Sequence, residues 1–457
     1  MTWYAKKGVR KPGEEQPSAG GILKIRLPFV HYPFELPDFV QGAILCVVPM
    51  GITAAMTDVL GIPFEIGIAM VLLNNFMYLL HTSFGDPSVV GWITPGIPLF
   101  LAFVTNYEPG VDRIHALMAL QLLVAIIFLF LGVTGLAQKV VDRIPISMKS
   151  GILMGAAIAS IRGEFAPGGR IEAMPFSILF GLLVSFFVLF SKSTTILRNR
   201  YKPFRYVAQF GIAIPFFLSY IFAMVIGEVT VPVVQGGMTP TPFPDAWAML
   251  SPFSIGFPPA HMFMAALPLA LAAYVIAFGD VLVATGLLKE ADEVRTDEKV
   301  IFYVNRNHII TSARNFIHAL LHPYLPLSGP QWAAGQALVV NRYMNATPEE
   351  QDTYWGGATS VFWGMSIALA LNPLVTFFRP GLAIGFSLTL LLQGFLCGYI
   401  AMNMVDNNIQ RGISITMGVV LSVRGAAEAL ALGLAFSLLL EWKWIKSDEE
   451  LEAAKNG

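Results

Sequence analysis

The feature that most constrains this chain is a succession of long stretches that contain no Asp, Glu, Lys or Arg. Nine of them have 19 or more residues, enough for a helix to cross about 30 Å of hydrocarbon. They are 39–57, 66–85, 87–107, 114–138, 173–191, 206–227, 246–279, 353–378 and 380–405. Shorter apolar pieces lie at 150–161, 324–341, 412–423 and 429–440. The pattern predicts an all-α membrane protein with 12 to 14 transmembrane segments.

Composition excludes several classes of protein. Charged residues make up 13% of the chain, against about 25% in soluble proteins, so a soluble fold is excluded. The net charge of -1 leaves no basic face for nucleic acid. No nucleotide-binding loop or catalytic motif occurs, and Cys46 and Cys397 lie in apolar runs, where a buried thiol is the usual interpretation. We therefore expect no enzyme activity, no cofactor, no metal site and no cleaved signal peptide.

The distribution of Lys and Arg indicates the orientation, because short cytoplasmic loops are enriched in these residues. With 14 segments and a cytoplasmic N terminus, 23 of the 29 Lys and Arg fall on the cytoplasmic side. The loop 229–258 has neither residue and is predicted to lie outside. Both termini of this multi-pass protein are expected in the cytoplasm, and a bacterial chain of this kind would lie in the inner membrane.

The two halves of the chain resemble each other, as in transporters built from repeats. The motif A-x-x-D-V-L occurs at 55–60 and at 277–282, and Asn75-Phe76 is matched by Asn315-Phe316. Seven segments separate the copies, so the second must be inverted in the membrane. We predict an N-terminal tail 1–37, repeat 1 at 38–228 (segments 1–7), the loop 229–258, repeat 2 at 259–440 (segments 8–14) and a C-terminal tail 441–457.

Two segments at corresponding places in the halves cannot form regular helices. Residues 82–98 contain three prolines and three glycines, and 322–336 is similarly rich in these residues. Irregular backbone at membrane depth persists only where it lines a cavity or is buried in protein. Broken third and tenth segments therefore predict a binding site near the membrane midplane, where helix N-termini offer N–H groups to an anion.

At this point the chain resembles the seven-plus-seven inverted-repeat carriers, which include the sulfate permease (SulP) anion transporters and the uracil/xanthine permeases. The similar residues are Leu36-Pro37-Asp38-Phe39-Val40-Gln41-Gly42 with Pro49, Leu60-Gly61-Ile62-Pro63 with Gly67, Ser88-Val89-Val90-Gly91, Phe278-Gly279-Asp280 and Ser328-Gly329-Pro330-Gln331. No STAS domain is recognised, and the tenth segment lacks the Glu-Asn pair of the nucleobase permeases. The resemblance implies a core domain from segments 1–4 and 8–11, a gate domain from segments 5–7 and 12–14, and a homodimer.

The resemblance places substrate between the third and tenth segments. The candidate substrate-binding residues there and on segments 1 and 8 are Asp58, Gly91, Trp92, Ile93, Asp280, Ser328, Gly329, Gln331, Trp332 and Ala333. Asp280 directly follows the longest uncharged run, where an ionised carboxylate is costly and functional by default. Asp280 and Asp58 are the candidate ligands of a coupling ion. Asp58 lies near a turn, where a position at the membrane interface is the other interpretation. Asp86 is expected to cap a half-helix.

These observations predict a secondary active transporter that moves a small anion, a carboxylate or an inorganic oxyanion, together with protons or sodium by alternating access. The alternative within transport is a permease for a neutral heterocycle such as a nucleobase. A membrane scaffold or an intramembrane enzyme is the remaining class. The expected partners are the solute, the coupling ion and membrane lipid.

Overall fold

The computed structural model describes residues 13–16, 18–19, 24–201 and 211–442, without the side chains of residues 198 and 199. Several sequence predictions therefore lie outside the described residues: the cations Lys6, Lys7, Arg10 and Lys11 of the N-terminal tail, Lys202 and Arg205, the start of the apolar stretch 206–227, and the C-terminal tail beyond residue 442.

The first half is a series of helices interrupted by one short strand. The described elements are α1 Leu36–Leu45, α2 Val47–Leu60, α3 Phe64–Ser83, β1 Gly91–Trp92, α4 Ile97–Val104, α5 Val111–Thr134, α6 Ala137–Arg143, α7 Ile146–Phe165, α8 Arg170–Ala173, α9 Pro175–Phe190, α10 Lys192–Arg200 and α11 Ala213–Ile226. Local sequence sets several boundaries: α2 and α5 end at Gly61 and Gly135, whose positive φ of 69° suits glycine.

The second half follows the same plan. Its elements are α12 Phe243–Leu250, α13 Pro252–Ile255, α14 Ala260–Val294, α15 Val304–Leu321, β2 Ser328–Gly329, α16 Ala333–Asn345, α17 Tyr354–Ala370, α18 Asn372–Phe378, α19 Leu382–Asn403, α20 Asn408–Arg424 and α21 Ala426–Phe436, after which a π-helical turn covers Ser437–Glu441. The interruption between α15 and α16 thus corresponds to the one between α3 and α4.

Five helical stretches of the described part are long and apolar enough to cross a membrane: Leu36–Leu60, Phe64–Ser83, Val111–Thr134, Ala260–Val294 and Asn372–Asn403. A sixth forms if α6 and the helices after it, Ile146–Ala173, are counted together across their 94° bend. Large apolar side chains such as Val225 and Met264 remain more than three-quarters exposed, which is typical of a lipid-facing surface. The chain is an integral, multi-pass membrane protein, and the number of 14 segments stays a prediction.

The helices pack in two sets of contacts. In one set, α5 packs against α14 and α15, and α1 packs against α17, which also contacts α3. In the other set, α7 packs against α19 and α20. The crossing of α1 and α17 is very close because Gly42 and Gly364 lie at it: a Cβ atom on Gly364 would stand 2.8 Å from the backbone nitrogen of Ala43. The assignment of core and gate domains stays a prediction.

The described part of the N-terminal segment is packed against the helices. The guanidinium of Arg26 is fully buried and stacks 4.2 Å above the Trp355 ring, and it binds Glu15 at 2.8 Å. Burial alone would raise the pKa of the Glu15 carboxyl, but Arg26 and Lys24 outweigh it and hold the pKa below its usual value. This contribution to docking is therefore present at neutral pH and is lost as the pH falls.

Candidate functional site

The two interrupted segments meet in a short antiparallel pair of strands. β1 pairs with β2 so that Gly91 lies opposite Gly329 and Trp92 lies opposite Ser328. The backbone N–H of Trp332 donates to the Val89 carbonyl at 2.8 Å, which extends the contact beyond the strands. Helix α16 starts directly after this junction, and α4 starts after one 3-10 turn at Thr94–Gly96. Two helix N-termini therefore adjoin one buried pair of strands.

Eight of the ten predicted site residues lie at this junction: Gly91, Trp92, Ile93, Ser328, Gly329, Gln331, Trp332 and Ala333. All are buried except Trp332 and Ala333, which are half-buried. The Trp332 side chain packs on Gly91, where a Cβ atom would stand 2.8 Å from the Trp332 Cβ. Glycine at position 91 therefore allows the indole to lie against the strand. The role of these residues in binding stays a prediction.

One buried arginine forms hydrogen bonds to both strands. The Arg314 guanidinium, on α15, is fully buried. It donates through Nη1 to the Gly329 carbonyl at 3.0 Å and through Nη2 to the Gly91 carbonyl at 3.2 Å. It also stacks 4.8 Å from the Tyr78 ring. A planar guanidinium with several fixed donors suits this bridging position better than a lysine ammonium would.

A histidine and an aspartate stand next to this arginine. His81 Nε2 lies 3.4 Å from Arg314 Nη1, and His81 Nδ1 lies 2.6 Å from Asp86 Oδ2. Both side chains are buried. Because Arg314 can only donate, the neutral imidazole accepts at Nε2 and carries its proton at Nδ1, where it donates to the carboxylate. The positive charge of Arg314 is thus compensated by Asp86 through one histidine.

The Asp86 carboxylate is also saturated by its other neighbours. Its Oδ1 accepts from the Ser88 hydroxyl at 2.6 Å and from the Ser88 N–H at 3.2 Å. Its Oδ2 accepts from Asn307 Nδ2 at 2.8 Å in addition to His81. Gln331 Nε2 donates to the Ser88 hydroxyl at 2.5 Å, which ties the second broken segment to this cluster. Asp86 therefore does more than cap a half-helix, the role that the sequence predicts.

A second polar group supports the other strand. Asn315 binds both backbone groups of Ser328, accepting from its N–H at 3.0 Å and donating to its carbonyl at 2.8 Å. Gln121 on α5 donates through Nε2 to Asn315 Oδ1 at 3.2 Å. Its Oε1 accepts from the backbone N–H of Tyr324 at 2.7 Å. These amides satisfy backbone that has left the helical pattern at the break, which is the requirement for irregular chain at membrane depth.

The indole N–H of Trp92 and the hydroxyls of Ser328 and Tyr324 are buried around the strands without a well-formed hydrogen bond, and the indole N–H faces the hydroxyls of Tyr324 and Tyr78. The Trp92 and Tyr324 rings meet edge to face at 6.2 Å. A buried polar group without a partner costs about 1–3 kcal/mol. Three such groups within one junction therefore indicate a place for a ligand that accepts hydrogen bonds.

The two predicted coupling-ion ligands lie apart from this network. Asp58, near the C-terminal end of α2, is exposed, so the structure does not place it in a buried site. Asp280, in the middle of α14, is half-buried and forms no hydrogen bond or ion pair with the described residues. Arg424 and Glu428 form an ion pair in which both side chains are more than half exposed, rather than a buried one.

Sequence reasoning missed the polar residues that hold the strands: His81, Asn307, Arg314, Asn315 and Gln121. The available signal was Arg314 itself, an arginine in the second half with no acidic residue nearby in the sequence. Asn315 enters the sequence analysis only as the repeat match of Asn75. Among the described residues, no group of His, Cys, Asp and Glu has a metal-binding arrangement.

No protein-family model and no curated protein matches the sequence. Among solved structures, the chain is similar to the murine Slc26a9 anion transporter in its inward-facing state, with a TM-score of 0.53 and 14% identity over 89% of this chain and 68% of that chain. A second SLC26A9 structure gives a TM-score of 0.54 and 14% identity over 88% of this chain and 64% of that chain. The chain therefore shares its fold with these SLC26A9 structures.

The transmembrane domain of the cyanobacterium bicarbonate transporter BicA is also similar, with 15% identity over 88% of this chain and 96% of that chain and a TM-score of 0.48. The resemblance to sulfate permease carriers that the sequence predicted is confirmed at the level of the fold. All three structures are of transporters, not enzymes.

Proposed function

We propose that this chain is a secondary active transporter of a small anion, a carboxylate or an inorganic oxyanion. The observation that carries the proposal is the junction of β1 and β2, where the unpartnered donors of Trp92, Ser328 and Tyr324 surround strands held by a buried arginine. An anion offers acceptors to these donors. Its charge is favoured by the two adjoining helix N-termini, because charges are poorly screened in a buried setting.

The alternative ligand is a neutral heterocycle, which needs acceptors as well as donors. Asp86 is the carboxylate of the polar network around the strands. It already accepts four hydrogen bonds from its protein neighbours. The unpartnered acceptors close to it are the amide oxygens of Asn307 and Gln331. The two helix N-termini that adjoin the junction carry partial positive charge, which favours the anion over a neutral ring.

Transport would follow from movement of the core domain, with substrate at the paired strands, against the gate domain. The fold shared with SLC26A9, an anion transporter by its description, supports this arrangement. The proposed homodimer rests on the family resemblance.

The binding part of the proposal is tested by thermal shift of the purified protein. The panel contains chloride, nitrate, bicarbonate, sulfate and short carboxylates, with uracil and xanthine for the alternative. We expect at least one anion, and neither base, to raise the melting temperature. Stabilisation by a base with no response to any anion would replace the anion with a heterocycle.

The location of the site is tested with matched variants of α16. Ala333 is half-buried at the start of this helix, whereas its neighbour Ala334 is exposed. We expect Ala333→Leu to abolish the stabilisation by the anion and Ala334→Leu to retain it. Substitution at Gly91 is less informative, because a side chain there also displaces Trp332. Equal anion stabilisation of both variants would place the ligand elsewhere.

The proposed coupling ion is a proton or sodium bound at Asp280, a carboxylate without a partner in a helix long enough to span the membrane. In proteoliposomes, Asp280→Asn should retain anion binding and lose the response of uptake to an imposed cation gradient. Asp58→Asn is the comparison, because Asp58 is exposed. Gradient-driven uptake by Asp280→Asn at the wild-type rate would rule out this role.

A further inference from the structure

Asp86, His81 and Arg314 form a continuous chain of buried contacts that ends at the paired strands. The carboxylate lies 2.6 Å from His81 Nδ1, the opposite ring nitrogen lies 3.4 Å from Arg314 Nη1, and that same Nη1 lies 3.0 Å from the Gly329 carbonyl. The three side chains come from the loop after α3, from α3 and from α15. A change of charge at Asp86 therefore alters the electrostatic environment of the paired strands.

The charges of this chain sum to zero when the histidine is neutral, since Asp86 carries one negative charge and Arg314 one positive charge. An anion at the strands would then add an uncompensated negative charge in a buried setting. One proton added to the chain gives a net positive charge that matches a monovalent anion. Anion binding and protonation then favour each other by the same factor, as linkage requires.

We propose that the His81–Asp86 pair binds a proton together with the anion, as a second site beside the cation site proposed at Asp280. This proposal rests on the proposed anion transport. The proton adds to His81 Nε2, and His81 keeps its Nδ1 hydrogen bond to Asp86 as an imidazolium–carboxylate pair. Arg314 Nη1 then loses its acceptor at His81, because two donors face each other there, and retains the Gly329 carbonyl.

The titratable and charged groups around this chain include His308 and His318 on α15, and Arg306, whose Nη1 donates to the Gly85 carbonyl at 3.0 Å. The charged groups that act on His81 are Asp86 and Arg314. Tyr78 lies on the same helix under the Arg314 guanidinium, and from α17 the hydroxyl of Tyr354 is hydrogen-bonded to Gln336. The charged residue of α2, Asp58, is exposed at the end of that helix. Within the chain Asp86–His81–Arg314, the imidazole has two ring nitrogens and can carry a proton on either or on both.

The proposal predicts opposite effects of two conservative variants on anion affinity. Asp86→Asn removes the negative charge and mimics the protonated pair, so the affinity should be high and independent of pH. His81→Gln cannot take up the proton and leaves Asp86 charged, so the affinity should be low and independent of pH. In the wild type, the affinity should fall up to tenfold per pH unit above the pKa of the pair, because one proton accompanies each anion.

The experiment measures calorimetric binding of chloride, nitrate and sulfate to the purified full chain between about pH 5 and about pH 8, the range in which an ordinary histidine titrates. His308→Gln is the matched control. His308 is a buried histidine on the same helix as Arg314, and its Nε2 lies 3.1 Å from the Tyr274 hydroxyl. This control should keep the pH dependence of the wild type.

A measurement on the wild type keeps the test independent of how the variants fold. When an anion that binds is added to weakly buffered protein, the protein should take up about one proton from solution for each anion bound. Anion binding without proton uptake and with the same affinity at every pH would overturn the proton site while leaving anion transport in place. Loss of the pH dependence in Asp280→Asn, but not in Asp86→Asn, would move the proton to Asp280. Failure of all three anions to bind at any pH would overturn both proposals.

Discussion

At the scale of single residues, Arg314 is the side chain on which the paired strands depend most directly. Its guanidinium reaches the carbonyls of Gly91 and Gly329 at once and lies 3.4 Å from the side-chain oxygen of Asn74. Buried acceptors that lose a donor cost about 1–3 kcal/mol each. We expect Arg314→Ala to lower the free energy of unfolding by on the order of 2–4 kcal/mol. Arg314→Lys should lose less, because an ammonium keeps the charge but not the two-armed geometry.

Thermal unfolding in detergent measures this series, with Arg424→Ala as the control. Arg424 also lies on a helix and pairs with an acidic residue, Glu428, but both partners are exposed, so its removal should leave the melting temperature unchanged. Equal melting temperatures for Arg314→Ala and the wild type would show that the strands hold together without the guanidinium.

At the scale of elements, helices α1 and α17 approach each other closely because both present glycine at the crossing. A Cβ atom on Gly364 would stand 2.8 Å from the backbone of α1, which cannot move aside as a flexible side chain would. We expect Gly364→Ala to destabilise the protein by about 1–3 kcal/mol through overpacking. Gly412→Ala on α20 is the control, since nothing lies within 4 Å of its added Cβ, and it should be neutral or stabilising. A melting temperature for Gly364→Ala as high as that of the control would contradict this account of the crossing.

At the scale of the whole molecule, the predicted orientation places loop 229–258 outside and the charged stretch 289–306 in the cytoplasm. The native cysteines Cys46 and Cys397 are buried, so cysteines introduced at exposed positions dominate labelling. Val234→Cys and Lys289→Cys use residues that are well exposed in the structure. In intact cells, an impermeant thiol reagent should label Val234→Cys and leave Lys289→Cys unlabelled until the cells are opened. The reverse pattern would invert the topology, and labelling of both or of neither would defeat the inverted-repeat organisation.

The sequence by itself determined the class of the protein and predicted a place for its site. Uncharged stretches long enough to span a bilayer must lie in lipid, and clusters of proline and glycine cannot continue a helix. The membrane helices and the breaks at 82–98 and 322–336 therefore follow from local chemistry. The glycines, tryptophans and serine at the junction were predicted from these breaks together with the family resemblance. The same reasoning favoured Asp280 and Asp58 over Asp86, because it weighs each carboxylate against its sequence neighbours alone.

Only the tertiary structure decided what those segments do to each other. Gly91 meets Gly329, and His81 meets Arg314 from 233 positions away in the chain. No helical or strand period links such distant residues, since their contact is set by how the helices between them pack. A buried polar group must find its partner in space, so the saturation of Asp86, the exposure of Asp58 and the charge chain through His81 appear only once the two halves are folded together.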